Sequence, residues 1–194
     1  MSDEDNSVVR ALLPLTEVLE QLGIQYYIGG SLASSVHGIS RPTQDADIVA
    51  DIRAEHVYPL TRSLKGEYYI DADMIRDAIR YKSSFNIIYQ DLMFKVDVFI
   101  PKSRPYAQQE LRRTRIGTIP GSDRRLYLSS PEDIILNKLE WFKMGNEIST
   151  RQWKDIMGVL NRQTTSLDLA YLQQWAAELG VTDLLNRALN EAGL

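Results

Sequence analysis

The chain has 194 residues, 44% of them apolar, and a net charge of −4. That composition fits one domain, or a compact core with a small helical appendage, and excludes a disordered chain. The longest apolar stretches fall well short of the roughly 20 residues a membrane span needs, so no membrane is expected. Cysteine is absent, which excludes a disulfide framework and a thiolate metal site. The opening MSDEDNSVVR is acidic where a secretory signal would be basic, and no apolar stretch follows it. Both points favour the cytoplasm. The acidic total argues against a general nucleic-acid coating surface. One segment runs the other way: Lys102, Arg104, Arg112, Arg113, Arg115, Arg124 and Arg125 stand against only Glu110 and Asp123. It reads as a solvated, loop-rich face, with a patch for a polyanion or a nucleotide tail as the functional alternative.

In chain order, residues 1–6 read as a frayed tail. Ser7 can cap a helix running to Leu22, because Val8, Leu12, Leu15, Val18, Leu19 and Leu22 recur at three- and four-residue spacing and Gly23 follows. The run from Ile24 to Ile28 reads as a buried strand, broken by Gly29-Gly30, after which Ser31 can cap a short helix toward His37. From Asp45 to Asp51 the chain alternates: Asp45, Asp47, Val49 and Asp51 share one face, Ala46, Ile48 and Ala50 the other. A helix is expected around His56–Leu64, an edge strand at 68–70, and a short helix over 73–80 capped by Asp73. The runs 85–89 and 94–100 resemble a hairpin joined at Gln90-Asp91. Short strands are expected near 115–119 and 125–128. Ser130-Pro131-Glu132-Asp133 is a strong helix start, with a Ser cap and Pro at the first position. Helices follow over about 131–144, 150–162, 167–179 and 182–192. The expected organisation is an α/β (α+β) core over 1–129, with a helical portion over 130–194.

Three features carry chemistry. Asp45 and Asp47, two apart on a strand, point to one face with Cα atoms about 6–7 Å apart. Unpaired they repel; a bound metal pair would be bridged well by them and a third carboxylate. Asp97, between Val96 and Val98, supplies that third carboxylate, and an aspartate among apolar neighbours is costly unless paired, hydrogen-bonded or metal-bound. Gly29-Gly30-Ser31, between a strand and a helix, lets phosphate oxygens approach the backbone, and a helix N-terminus stabilises negative charge. Arg41 and Thr43, just ahead of the aspartates, can contact phosphates as well. Each piece alone has a structural explanation: a turn, a loop D-x-D, a salt-bridged core carboxylate. Their order and spacing together favour the site.

The run Ile28-Gly29-Gly30-Ser31, then Asp45-Ala46-Asp47-Ile48, then Val96-Asp97-Val98 resembles the nucleotidyltransferase superfamily of DNA polymerase beta type. More narrowly, His37-Gly38, Arg41, Thr43 and the D-x-D resemble small bacterial proteins related to the toxin nucleotidyltransferases of abortive-infection type E systems. Ser130-Pro131-Glu132-Asp133 with Lys138, and Arg151 with Lys154-Asp155, are similar to that group too. One departure is the loop with Gly145 that separates Lys138 from Asp155. The resemblance implies a small mixed or antiparallel sheet flanked by helices, and transfer of NMP from an NTP to a hydroxyl of RNA, protein or a small molecule. It implies Mg²⁺ or Mn²⁺ held by Asp45, Asp47 and Asp97, with Asp97 taking the proton of the attacking hydroxyl. Gly29, Gly30, Ser31, Arg41, Thr43 and Lys138 would then hold nucleotide phosphates, ATP among them. It also implies, in a toxin–antitoxin setting, an antitoxin-like protein partner.

Two other classes compete. A phosphohydrolase with an aspartate nucleophile also carries D-x-D, but there the motif closes an apolar strand, and here Asp45 opens one. A catalytically silent binding module would keep the fold without the chemistry; three retained carboxylates argue for a live site.

Overall fold

The computed structural model describes residues 3–194. Helix α1 spans Asp3–Gln21, so it opens ahead of Ser7, which lies inside it. The first two residues of the expected tail lie outside the described residues. Then follow β1 (Tyr26–Ile28), α2 (Gly30–His37), β2 (Asp45–Ala50), α3 (Val57–Leu64), β3 (Tyr68–Tyr69), α4 (Ala72–Tyr81), β4 (Ser84–Tyr89) and β5 (Phe94–Phe99). After these come α5 (Pro105–Arg112), β6 (Arg115–Gly117), β7 (Leu126–Leu128), α6 (Pro131–Met144), α7 (Thr150–Gln163), α8 (Leu169–Leu179) and α9 (Thr182–Ala192).

The chain forms two compact units. The first runs to Leu32 and resumes from Pro42 to Leu128; the second holds Ala33–Arg41 and Ser129–Leu194. The first is built on a seven-stranded sheet in the order β3-β4-β5-β2-β1-β7-β6. It is mixed: β2 runs parallel to β5 and β1 parallel to β7, and the other neighbouring pairs are antiparallel. The alternation read from the sequence sets its faces. Ala46, Ile48 and Ala50 of β2, Val96 and Val98 of β5, and Phe85 and Ile87 of β4 are buried. Helix α1 packs against β2 and β5 and brings Leu12, Leu15 and Leu19 into that core.

Two local expectations change. Helix α4 begins one residue early and is capped by Asp71, whose carboxylate accepts from the amides of Asp73 and Met74. Asp73 sits in the first turn and pairs with Arg76. The segment expected to be loop-rich contains α5, with Pro105 in its first turn, where the missing N–H costs nothing.

The second unit is helical. Ser130 caps α6 as expected, accepting from the Asp133 amide and donating to the Asp133 carboxylate at 2.6 Å. The Tyr171 hydroxyl donates to the same buried carboxylate at 2.7 Å. Helix α6 packs on α7 and α8, and α9 on α7 and α8, around Leu136, Leu139, Ile156, Val159, Leu160, Leu172, Leu185 and Ala188. No described helix is long and apolar enough to cross a membrane.

Candidate functional site

In the first unit, the sheet register brings the three expected carboxylates to one face. Asp47 of β2 lies directly across from Asp97 of β5, and Asp45 across from Lys95. Adjacent strands are about 4.8 Å apart, so Asp47 and Asp97 are immediate neighbours. Asp45, Asp47 and Asp97 are each partly exposed; Asp47 and Asp97 stand between buried neighbours, and Asp45 between exposed Gln44 and buried Ala46. Thr43, itself 8% exposed, donates its hydroxyl to the Asp45 carbonyl at 3.0 Å and the Asp45 carboxylate at 3.1 Å. Thr43 thereby holds the Asp45 carboxylate in place.

The glycine turn serves Asp47 unequally. The Gly29 amide donates to the Asp47 carbonyl at 2.9 Å and so extends the β1–β2 pairing. Gly30 opens α2 with φ +53°, and a Cβ built there would stand 1.7 Å from the Asp47 carboxylate. The absent side chain at 30 is what lets that carboxylate lie over the first turn of α2. Ser31 lies inside that turn rather than capping it. Gly30→Ala is expected to destabilise by about 2 kcal/mol, from the clash and the left-handed backbone together. Gly29→Ala, whose Cβ would meet only the Tyr27 ring at 3.7 Å, is expected to be close to neutral. Equal urea midpoints for the two variants would contradict this.

Lys95 was not singled out by the sequence reading. Its ammonium sits 2.6 Å from Asp97 Oδ2. That hydrogen bond holds the lysine pKa above its ordinary value; partial burial opposes it, and the charges of Asp97, Asp45 and Asp47 add to the rise. One cation therefore feels all three carboxylates. The spacing rule that pairs i with i+2 on a strand contained this signal in Lys95-Val96-Asp97. Among the described residues, no three His, Cys, Asp or Glu side chains are placed as a ready metal cage. The donor set is nonetheless all carboxylate oxygen, which suits Mg²⁺ or Mn²⁺, and its backbone positions converge.

The other expected residues gather in the second unit. Arg41 makes a two-pronged pair with Asp155, Nε to Oδ1 and Nη2 to Oδ2, both 3.0 Å. Lys138, 6% exposed, donates to Asp155 Oδ2 at 2.8 Å and to Gln152 Oε1 at 3.0 Å. Lys138 and Asp155 therefore converge on each other despite the Gly145 loop. Burial pushes the Asp155 pKa up, but hydrogen bonds and charge from Arg41 and Lys138 outweigh it and the net displacement is downward.

His37 donates through Nε2 to the Ser129 carbonyl at 2.8 Å, which fits packing rather than base chemistry. At Gly38 a Cβ would meet the Val159 amide at 2.8 Å, so His37-Gly38 has a structural use against α7. In the basic segment, Arg124 is bound to Glu17 and Glu20, which cuts the charge that segment presents. Among the aromatics, Tyr26, Tyr27, Tyr68 and Phe142 are core, while Tyr69 and Trp141 are exposed and available to stack on a planar group.

Comparison with solved structures defines the fold. The solution structure of the antibiotic-resistance factor ANT(2'')-Ia matches with a TM-score of 0.54 at 17% identity, over 89% of this chain and 95% of that one. The crystal structure of ANT(2'')-Ia in complex with adenylyl-2''-tobramycin gives 0.55 at 16% identity, over 89% and 97%. An antigenic nucleotidyltransferase-like protein from Paracoccidioides brasiliensis gives 0.49 at 19% identity, over 97% and 93%. The fold is that of the nucleotidyltransferases. No protein-family model matches the chain, and no curated protein matches it in sequence.

Proposed function

We propose that this protein is a metal-dependent nucleotidyltransferase that moves NMP from an NTP to a hydroxyl acceptor. The observation that carries this is the register of β2 and β5, which sets Asp47 against Asp97 with Asp45 on the same face, beside the Gly30 turn on which Asp47 lies. Asp45, Asp47 and Asp97 would hold Mg²⁺ or Mn²⁺, which supplies neutralisation and alignment of the triphosphate. Thr43 is a positioning residue that fixes Asp45. Gly30 and Ser31, in the first turn of α2, face phosphate oxygens with the positive end of the helix. Asp97 accepts the proton of the acceptor hydroxyl as its oxygen attacks the α-phosphorus. The bond from that phosphorus to the bridging oxygen breaks, and pyrophosphate leaves. Arg41 and Lys138, both bound to Asp155 in the second unit, remain the other two residues proposed to contact nucleotide phosphates.

One observation favours the silent module: the Lys95 ammonium already neutralises Asp97. A thermal shift separates the two. With ATP or another triphosphate near a hundred times its Kd, plus Mg²⁺, a live site gains about 2.7 kcal/mol, or roughly 5–10 °C in Tm for a chain of this size. No shift with any of the four triphosphates, with or without metal, supports the module. The acceptor is then found by incubating the protein with labelled triphosphate, Mg²⁺ and total RNA or a metabolite extract. The adenylylated antibiotic bound by ANT(2'')-Ia makes small hydroxyl compounds the first to try. The Arg124 pairing with Glu17 and Glu20 weakens the case for RNA.

A further inference from the structure

Lys95 stands on the carboxylate face of β5, across from Asp45 and two residues before Asp97. Its ammonium, on a side chain 46% exposed, reaches Asp97 Oδ2 at 2.6 Å. Across β4 the row continues with Asn86 opposite Asp97 and Ile88 opposite Lys95. Neither of these carries charge, whereas Lys95 brings an ammonium to the carboxylate face.

We propose that Lys95 is the built-in counter-ion of the carboxylate cluster: it holds Asp97 in the free protein, so that a divalent cation is taken up together with the nucleotide rather than ahead of it. This rests on the assignment of Asp45, Asp47 and Asp97 as cation ligands. A metal ion arriving alone must displace the ammonium from Asp97 and meets its repulsion. A metal ion arriving on a triphosphate brings an alternative anion for the ammonium, and the four-carbon stem of lysine is flexible enough to follow it. A plain surface ion pair on a strand would contribute little and would not change metal uptake.

The test is Mn²⁺ binding, followed by the loss of the free-ion paramagnetic resonance signal, on the full chain without nucleotide. Lys95→Met is expected to bind Mn²⁺ about tenfold more tightly than wild type, since a unit charge some 6 Å from a divalent ion in water is worth that factor. Lys95→Arg, which keeps the cation, should bind as wild type does. With a non-hydrolysable triphosphate present, the gap between Lys95→Met and wild type should close. Equal Mn²⁺ affinity of wild type and Lys95→Met without nucleotide overturns the proposal. Should Lys95→Met fold poorly, Lys95→Gln makes the same comparison with a polar side chain. The Asp45→Asn/Asp47→Asn double variant separates the two levels. If it binds Mn²⁺ as wild type does, the metal-ligand assignment itself is wrong; if it loses binding while Lys95→Met gains none, the assignment holds and only the counter-ion role fails.

Discussion

Asp47→Asn is expected to lower the proposed Mg²⁺-dependent transfer by a factor of about 10³ or more and to leave the protein folded. The factor follows from the place of this carboxylate. Losing one pre-aligned electrostatic partner of a transition state costs about 10²–10³, and Asp47 would also lose charge as a metal ligand. It stands in the middle of the set, across from Asp97 and two residues from Asp45, so its loss reaches both neighbours. Asn keeps the shape that fits over Gly30, so packing survives. Removing one of three neighbouring negative charges relieves repulsion, and Tm in metal-free buffer should equal or exceed that of wild type. Turnover of labelled NTP and thermal melts of the same preparation check both halves. Full activity in a folded Asp45→Asn/Asp47→Asn double variant rules out the site.

The parts of this site that were legible in the sequence are those that depend on short spacing. The alternation through β2 put Asp45 and Asp47 on one face because strand side chains repeat every two residues, and the sheet places them so. The cap of α6 was legible for the same reason: Ser130, Pro131 and Asp133 act within one helical turn. Local rules also mislead where two candidates are close. Asp71 and Asp73 both precede α4, and a shift of one residue in the helix start decides which one caps. Lys95 lay within reach of the strand rule, since it precedes Asp97 by two residues on the same face. Partners distant in the chain left no local trace. Arg41 and Asp155 are 114 residues apart, and Lys138 meets Asp155 only because α6 and α7 pack together. The order of the seven strands likewise depends on crossovers that periodicity does not encode.

Asp155→Ala is expected to destabilise the protein by about 3–5 kcal/mol, because removing one partner of a buried pair leaves the other charge uncompensated. The two side chains of the Lys138–Asp155 pair are only 7% and 8% exposed, and Arg41 on the other side of the carboxylate is 22% exposed. Both Asp155 oxygens accept from these cations, so truncation takes an ion-pair partner from both at once. For a chain of this size the loss corresponds to roughly 6–20 °C in Tm. Two controls separate charge from volume. Asp155→Asn keeps the shape and should lose nearly as much. Lys138→Met with Asp155→Leu replaces the pair by apolar groups and should lose less than Asp155→Ala, as buried pairs often do when both charges go. The pH dependence has a definite sign. The folded pKa of Asp155 is depressed, so its contribution is fully present above the ordinary aspartate value of about 3.9. It is lost as pH falls from there through the lower folded value. Wild type should therefore lose stability relative to Asp155→Asn below about pH 4, and the gap between them should be constant from pH 5 to 7. Urea denaturation across that range measures it. A gap that stays constant down to pH 3 would show that the carboxylate is not held charged by Arg41 and Lys138.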